Sequence, residues 1–216
     1  MAKLLEIPQD VIDCVVAAVG DDSRLLKQCS LVSSSFLRPS RKQLFSSINL
    51  ISDQTCQGIH QLLVKDPFIQ SFVRTITVEE NMECNMNGTS LLAILRLPFC
   101  HLECFTIRDP FQICWKWKNF SSELKDALSN IIHLSTLKTL SLRCIPGLPI
   151  TFFTPIIHLT TLELHFFSPN DFDDENSNPL TWAASKGMAP MASHTVIDQC
   201  VWHFRQNYVH GTKFSS

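Results

Sequence analysis

Cysteine and histidine are the side chains of this 216-residue sequence best suited to chemistry, with nine cysteines and eight histidines. Cys100, His101 and Cys104 lie close enough together to suggest a metal site, but no second pair of ligands follows at the spacing of a zinc site. No Cys-x-x-Cys pair occurs either. The pattern favours reduced cysteines that serve as small buried hydrophobic residues, as is common in a reducing compartment.

A second set of candidate ligands is acidic. The segment from residue 168 to residue 179 reads SPNDFDDENSNP. Its carboxylates, which could bind a hard cation, belong to Asp171, Asp173, Asp174 and Glu175. They lack the ligand order of an EF-hand loop and its glycine, and the segment has no hydrophobic period. We therefore expect an acidic linker here, and neither a metal nor a cofactor.

Catalytic motifs are missing from the sequence. It contains no nucleophile elbow of the form GxSxG, no P-loop, no HExxH and no dinucleotide-binding glycine motif. With six glycines in the chain, loops that cradle phosphate are also difficult to build. We therefore expect that the protein is not an enzyme. The alternative, a small α/β hydrolase-like enzyme, would require a pocket in which histidine and carboxylate groups converge.

Charge and hydropathy restrict the partners and the compartment. The net charge is −2 and 45% of the residues are hydrophobic, which argues for a globular chain and against nucleic-acid binding. Residues 1–6 are too short and too charged for a signal peptide. The longest uncharged run, from Cys144 to Leu162, contains three prolines and would make a poor membrane helix. We expect a cytoplasmic or nuclear protein with no membrane contact.

Three short helices are predicted at the start of the chain. Pro8 suits the first helical position, and Gly20 suits the end of the same helix. The apolar residues between them recur at helical spacing and are Val11, Ile12, Val15, Val16 and Val19. One of residues 21–23 is expected to cap the second helix, Ser30 to begin a third, and Pro39 to end it.

The same stretch carries a family resemblance. The run IPQDVI from Ile7 is followed by CSLV from Cys29, by Phe36 and by the pair LF from Leu44. In this order and spacing, residues 7–50 resemble an F-box, most closely that of proteins from mushroom-forming fungi. Ile7 is a departure, because the family most often has leucine there, but the exchange keeps the size and the apolar character. The resemblance implies docking on a Skp-family adaptor and, through it, on a cullin scaffold.

The apolar positions of the motif are the candidate adaptor-binding residues, although some of them must form the internal core instead. These candidates are Ile7, Pro8, Val11, Ile12, Val15, Leu26, Leu31, Val32 and Phe36.

A weak internal repeat of the form LxxLxL follows the helices. Its four copies are Val73, Ile76 and Val78; Leu102, Phe105 and Ile107; Leu137, Leu140 and Leu142; and Leu159, Leu162 and Leu164. The last two members of each copy are two residues apart, so they share one face of a short strand. Helical segments lie between the copies, which predicts an α/β fold with parallel strands, helices outside and the curvature of an irregular leucine-rich-repeat-like arc. An ordinary α/β domain is the alternative.

The sequence thus divides into residues 1–50, residues 51–167 with the repeats, and an acidic linker and tail over residues 168–216. Around Val196 a short helix or strand is expected, and the tail either caps the repeats, is poorly ordered, or ends a longer array aberrantly. Trp115 and Trp117 alternate with lysines, which is typical either of an exposed substrate-binding loop or of an edge loop that covers the core.

The resemblance implies the substrate-recognition adaptor of a cullin-based SCF ubiquitin ligase, in which the repeat region binds a protein substrate. The alternative is a leucine-rich-repeat interaction module without a role in ubiquitin ligation, whose first helices are only an N-terminal cap. A cap should be polar on its outer face. The many apolar residues between Val11 and Phe36 favour a docking face instead.

Overall fold

We describe the fold from a computed structural model. It describes residues 7–79, 88–108, 116–143, 145, 147–153, 158–165, 188–191, 195–196 and 199–206. Over these ranges the protein is a mixed α/β structure with seven α-helices and a sheet whose first five strands are parallel. The predicted α/β class with parallel strands is therefore confirmed.

Three helices form the N-terminal unit, and their ends have identifiable causes. They are α1 (Gln9–Val19), α2 (Ser23–Val32) and α3 (Ser34–Leu44). Pro8 occupies the N-cap of α1, and Gly20 ends the helix with a φ of 64°, where a residue with a Cβ would be strained. Asp22 caps α2, because its carboxylate accepts from the backbone N–H groups of Arg24 and Leu25 at 2.9 and 3.0 Å.

The predicted boundary at Pro39 is wrong, because α3 continues through this residue, and α3 begins at Ser34 instead of Ser30. Proline cannot donate a hydrogen bond to the carbonyl four residues earlier, which belongs to Ser35. That carbonyl accepts instead from the side-chain amide of Gln9, at 3.4 Å. This long bond compensates partly for the missing one and connects the start of α1 to the start of α3.

The five parallel strands run in one register. They are β1 (Ser47–Leu50), β2 (Thr75–Glu79), β3 (Cys104–Arg108), β4 (Thr139–Arg143) and β5 (Thr161–His165). Each predicted LxxLxL copy provides one of the strands β2–β5, and the apolar pairs align across all of them: Ile76, Phe105, Leu140 and Leu162 in one row and Val78, Ile107, Leu142 and Leu164 in the next. Ile48 and Leu50 continue both rows on β1. They represent a fifth copy, which begins at Phe45 and was not recognised from the sequence.

One backbone arrangement recurs at the start of each strand. The carbonyl of the residue before β1, Ser46, accepts from the N–H groups of Arg74 and Thr75 at 2.8 and 2.9 Å. The carbonyls of Arg74, Glu103 and Lys138 each accept in the same way from the two residues that lead into the next strand, at 2.8–3.0 Å. This pairing sets the register, because each strand must begin beside the beginning of the strand before it.

The remaining helices pack on one face of this sheet. They are α4 (Asp53–Lys65), α5 (Pro67–Gln70), α6 (Thr89–Leu95) and α7 (Ser122–Ile132), and two 3-10 turns cover Trp117–Asn119 and Ile150–Phe153. Leu63, Ile94 and Leu128 from the helices form one core with the apolar strand residues. Ser121 is the N-cap of α7, because its hydroxyl accepts from the backbone N–H of Leu124 at 3.2 Å.

The sheet continues beyond residue 167, where the repeat region was expected to end. The tail contributes β6 (Met188–Met191), β7 (Thr195–Val196) and β8 (Gln199–Gln206). β8 lies antiparallel to β5 on one side and to β6 on the other, so the order along the sheet is β1-β2-β3-β4-β5-β8-β6. The strand alternative expected near Val196 is therefore the one observed. The acidic segment of residues 171–175 lies outside the described residues.

Ion pairs connect the residues that directly precede β2, β3 and β4, which are Arg74, Glu103 and Lys138. Glu103 Oε1 lies 3.1 Å from Arg74 Nη1, and its Oε2 lies 3.1 Å from Lys138 Nζ. The hydrogen bond from Lys138, followed by the positive charges of Lys138 and Arg74, holds the pKa of Glu103 below its ordinary value of 4.5 despite some desolvation. The three residues are part-exposed, so each pair stabilises the fold by at most about 1 kcal/mol.

Replacement of Glu103 by Gln is expected to remove a pH-dependent part of the stability. A carboxylate with a lowered folded-state pKa stabilises the folded protein above its unfolded pKa, and this contribution disappears as the pH falls through the folded value. The difference in unfolding free energy between wild type and Glu103→Gln should therefore be largest at neutral pH and should shrink below about pH 4.5. Urea unfolding at a series of pH values measures it, with Lys138→Gln closing a double-mutant cycle. A difference that does not change with pH would contradict the assignment.

Candidate protein-docking surface

The outer side of α1 presents a stripe of exposed apolar side chains. Ile7, just before the helix, is 56% exposed, and Val11 and Val15 are each 46% exposed. Val11 and Val15 are four residues apart within the helix, so they lie one above the other on the same side. The next stripe, about 100° around the helix, contributes Ile12 and Val16, which are 3% and 2% exposed, to the core of the unit. α1 is therefore apolar on two sides, although one buried stripe is enough to fold a surface helix.

The end of α2 exposes two more apolar side chains. Leu31 is 86% exposed and Val32 is 68% exposed, the two most exposed large hydrophobic residues in the described part of the chain. The bond from Gln9 to the carbonyl of Ser35 brings the start of α1 next to the start of α3, which directly follows Val32. Ile7, Leu31 and Val32 therefore lie at the same end of the three-helix unit. We call the residues Ile7, Pro8, Val11, Val15, Leu31 and Val32 the apolar face.

The structure divides the nine candidate adaptor-binding residues into two groups. Six of them make up the apolar face. Ile12 and Leu26, which is 1% exposed, are buried in the core of the unit, and half-buried Phe36 packs against them. These three side chains hold the helices together and are not available for contact with a partner. Leu25, which is 45% exposed, was missed as a candidate, since the sequence alone does not distinguish it from its buried neighbour Leu26.

Two contacts hold the N-terminal unit against the rest of the molecule. The guanidinium of Arg38 on α3 lies 5.6 Å from the ring centroid of Phe68, and Arg41 Nη1 lies 3.7 Å from Asp66 Oδ2. Only two residues separate α3 from β1, so the chain itself also restricts the orientation of the unit. A shallow apolar groove remains at the junction, between α2 and α4, and is lined by Lys27, Phe45, Ile48, Ile59 and Leu62.

The face of the sheet opposite to α4, α6 and α7 carries small polar side chains. Thr77, Thr106 and Ser141 lie side by side on β2, β3 and β4 and are 7%, 6% and 4% exposed. Two residues further along these strands stand Glu79, Arg108 and Arg143. Because successive strand residues alternate between faces, all six lie on one side of the sheet. The first three form a row of short polar side chains. The charged row beside it, at the carboxyl ends of the strands, consists of Glu79, Arg108 and Arg143.

Of the two candidate tryptophans, Trp117 lies within the described residues. Trp117 is half-buried, and its ring lies 5.0 Å from that of Phe152 and 5.5 Å from that of Phe120, with Lys125 Nζ 5.6 Å away. The ring of Trp117 therefore packs against the core. Trp115 lies outside the described residues.

The described residues offer little for metal or nucleophilic chemistry. Across these ranges, no group of three His, Cys, Asp or Glu side chains is arranged to hold a metal ion. Cys100 is exposed, whereas Cys104 lies half-buried on β3. Burial raises the pKa of the Cys104 thiol, against the opposing effect of its contact with Thr106 Oγ1 at 3.8 Å. A thiol with a raised pKa is a poor nucleophile at neutral pH.

Comparisons of the chain with protein-family models, with curated proteins and with solved structures found no match. None of the helices in the described ranges is long and apolar enough to span a membrane.

Two neighbouring valines of α1 provide a matched test of how the structure divides core from surface. Val16→Ala is expected to cost about 2 kcal/mol of unfolding free energy, because it removes buried methyl groups and leaves a cavity. Val15→Ala should change the stability by less than about 0.5 kcal/mol, because the side chain is half in solvent. Urea unfolding of both variants measures the two values. Equal losses would show that the helix is rotated relative to the structure.

Proposed function

We propose that this chain is the substrate-recognition adaptor of a cullin-based SCF ubiquitin ligase. In this proposal residues 7–50 are an F-box that docks on a Skp-family adaptor through the apolar face. The parallel sheet is an irregular leucine-rich-repeat-like arc that holds a protein substrate. The chain would work in the cytoplasm or the nucleus and would need no cofactor.

The observation that carries the proposal is the exposure of the apolar face on a helical unit that already has its own core. Single exposed hydrophobic residues are ordinary on protein surfaces. Here, however, Leu31 and Val32 are adjacent and mostly exposed, α1 adds Val11 and Val15 on one side, and Ile7 lies just before this helix. A group of exposed apolar side chains of this kind on one small unit is typical of a protein-protein contact. A solenoid cap would be expected to turn a polar face outwards.

The mechanism that this geometry supports is tethering. The three-helix unit and the sheet are connected by two residues between α3 and β1 and by the contacts of Arg38 and Arg41. A substrate on the sheet would therefore be held at a restricted distance from the adaptor and the scaffold behind it. Such tethering raises the effective concentration of substrate lysines near a ubiquitin carrier bound elsewhere in the complex. The chemistry would belong to other subunits.

Co-purification with a Skp-family adaptor tests the docking step. Wild type should bind stoichiometrically, and Leu31→Asp should weaken binding by at least about tenfold, because it places an unpaired charge in an apolar contact. Val11→Asp should behave in the same way. Both side chains are exposed, so both variants should keep the wild-type circular dichroism and urea midpoint.

Val64→Asp is the matched control, because Val64 is also an exposed helical residue, 54% accessible on α4 and outside the apolar face. It should bind like wild type. A folded wild type that does not bind the adaptor would overturn the proposal and leave an isolated interaction module as the better account. Binding by Leu31→Asp and Val11→Asp at wild-type strength would exclude the apolar face as the docking surface.

A further inference from the structure

Arg143 is an unusual side chain on the polar face of the sheet. It lies at the end of β4, is half-buried, and its Nε has no solvent exposure and no hydrogen-bond partner. No ion pair of Arg143 occurs within the described ranges. A buried donor without a partner is costly, and arginine almost always finds a carbonyl or a carboxylate in folded proteins. Arg143 therefore carries a charge that no carboxylate balances within the described ranges.

The neighbouring arginine in the charged row has an ion-pair partner. Arg108, one strand away, lies 3.6 Å from Glu79 Oε1, so its charge is already balanced. Next to this row, on the same face of the sheet, lie the short side chains of Thr77, Thr106 and Ser141.

We propose that the polar face of the sheet recognises an acidic segment of a protein, and that Arg143 binds one of its carboxylates. The planar guanidinium suits a carboxylate because two parallel N–H···O bonds can form. This inference rests on the proposed function, in which the sheet holds the substrate, and it names the chemical class of that substrate.

Charge favours a short acidic peptide over a polyanion. Glu79 and Glu163 lie on the same face as Arg143, and the whole chain has a net charge of −2. A nucleic acid with many phosphates would be repelled by these carboxylates and would lack a continuous basic surface. One or two carboxylates spaced along a peptide need only one unpaired cation and a few polar contacts.

Binding of two peptides tests the inference. Gly-Glu-Gly-Glu-Gly amide, labelled with fluorescein at its amino terminus, and its counterpart with glutamine in place of both glutamates are titrated with the full chain, and anisotropy is recorded. The glutamate peptide should bind more tightly, and the Nε–Hε NMR signal of Arg143, assigned from its loss in Arg143→Lys, should shift during its titration. Arg143→Gln should weaken this binding by about tenfold or more, as expected for loss of a charge-assisted bidentate contact.

Arg108→Gln is the matched control, and it should weaken binding by less than about threefold because this guanidinium is already paired and exposed. Arg143→Lys keeps the charge but loses the fork, so its affinity should lie between those of wild type and Arg143→Gln. The inference is overturned if the glutamate and glutamine peptides bind alike, or if Arg143→Gln binds like wild type.

The same proteins are also passed over the Skp-family adaptor, so that the two proposals fail separately. Retention of wild type and Arg143→Gln by the adaptor without selective peptide binding would remove only the role of Arg143. Selective peptide binding by a wild type that the adaptor does not retain would remove the ubiquitin-ligase role and keep carboxylate recognition by the sheet.

Discussion

Four backbone carbonyls, those of Ser46, Arg74, Glu103 and Lys138, control the arrangement of the parallel sheet. Each accepts two successive N–H groups from the residues that lead into the next strand. Because side chains alternate along a strand, a shift by one residue would turn every buried side chain to the other face. This repeated pairing therefore determines which strand residues enter the core and which lie on the polar face with Glu79, Arg108 and Arg143.

The described residues form two hydrophobic cores of very different size. The large core lies between the sheet and α4, α6 and α7, whereas the small one contains only Ile12, Val16 and Leu26 with partly buried neighbours. A unit as small as residues 9–44 cannot bury much of its surface. Its remaining apolar residues stay outside, and a partner that covered them would complete the burial that the unit cannot achieve alone.

The repeat and the α/β class could be predicted because a two-residue period marks one face of a strand. The copy on β1 was missed because Ile48 and Leu50 directly follow the helical unit without a spacer. Pro39 predicts a helix end from the sequence alone, because Gln9, whose amide replaces the missing N–H donor, is distant in sequence. The sequence also does not predict which apolar residues of α1 are exposed, because Val15 and Val16 are the same residue type at neighbouring positions. Packing against α2 and α3 alone distinguishes them.

Hydrogen exchange measured by mass spectrometry, on the chain alone and with a Skp-family adaptor, tests the central claim most directly. The claim is that the N-terminal unit carries the docking surface and that the sheet stays free for another protein. We expect slower exchange in α1 and α2 on addition of the adaptor, with unchanged exchange in β2, β3 and β4. Protection of the strands with unchanged exchange in α1 and α2, or no protection anywhere, would contradict the claim.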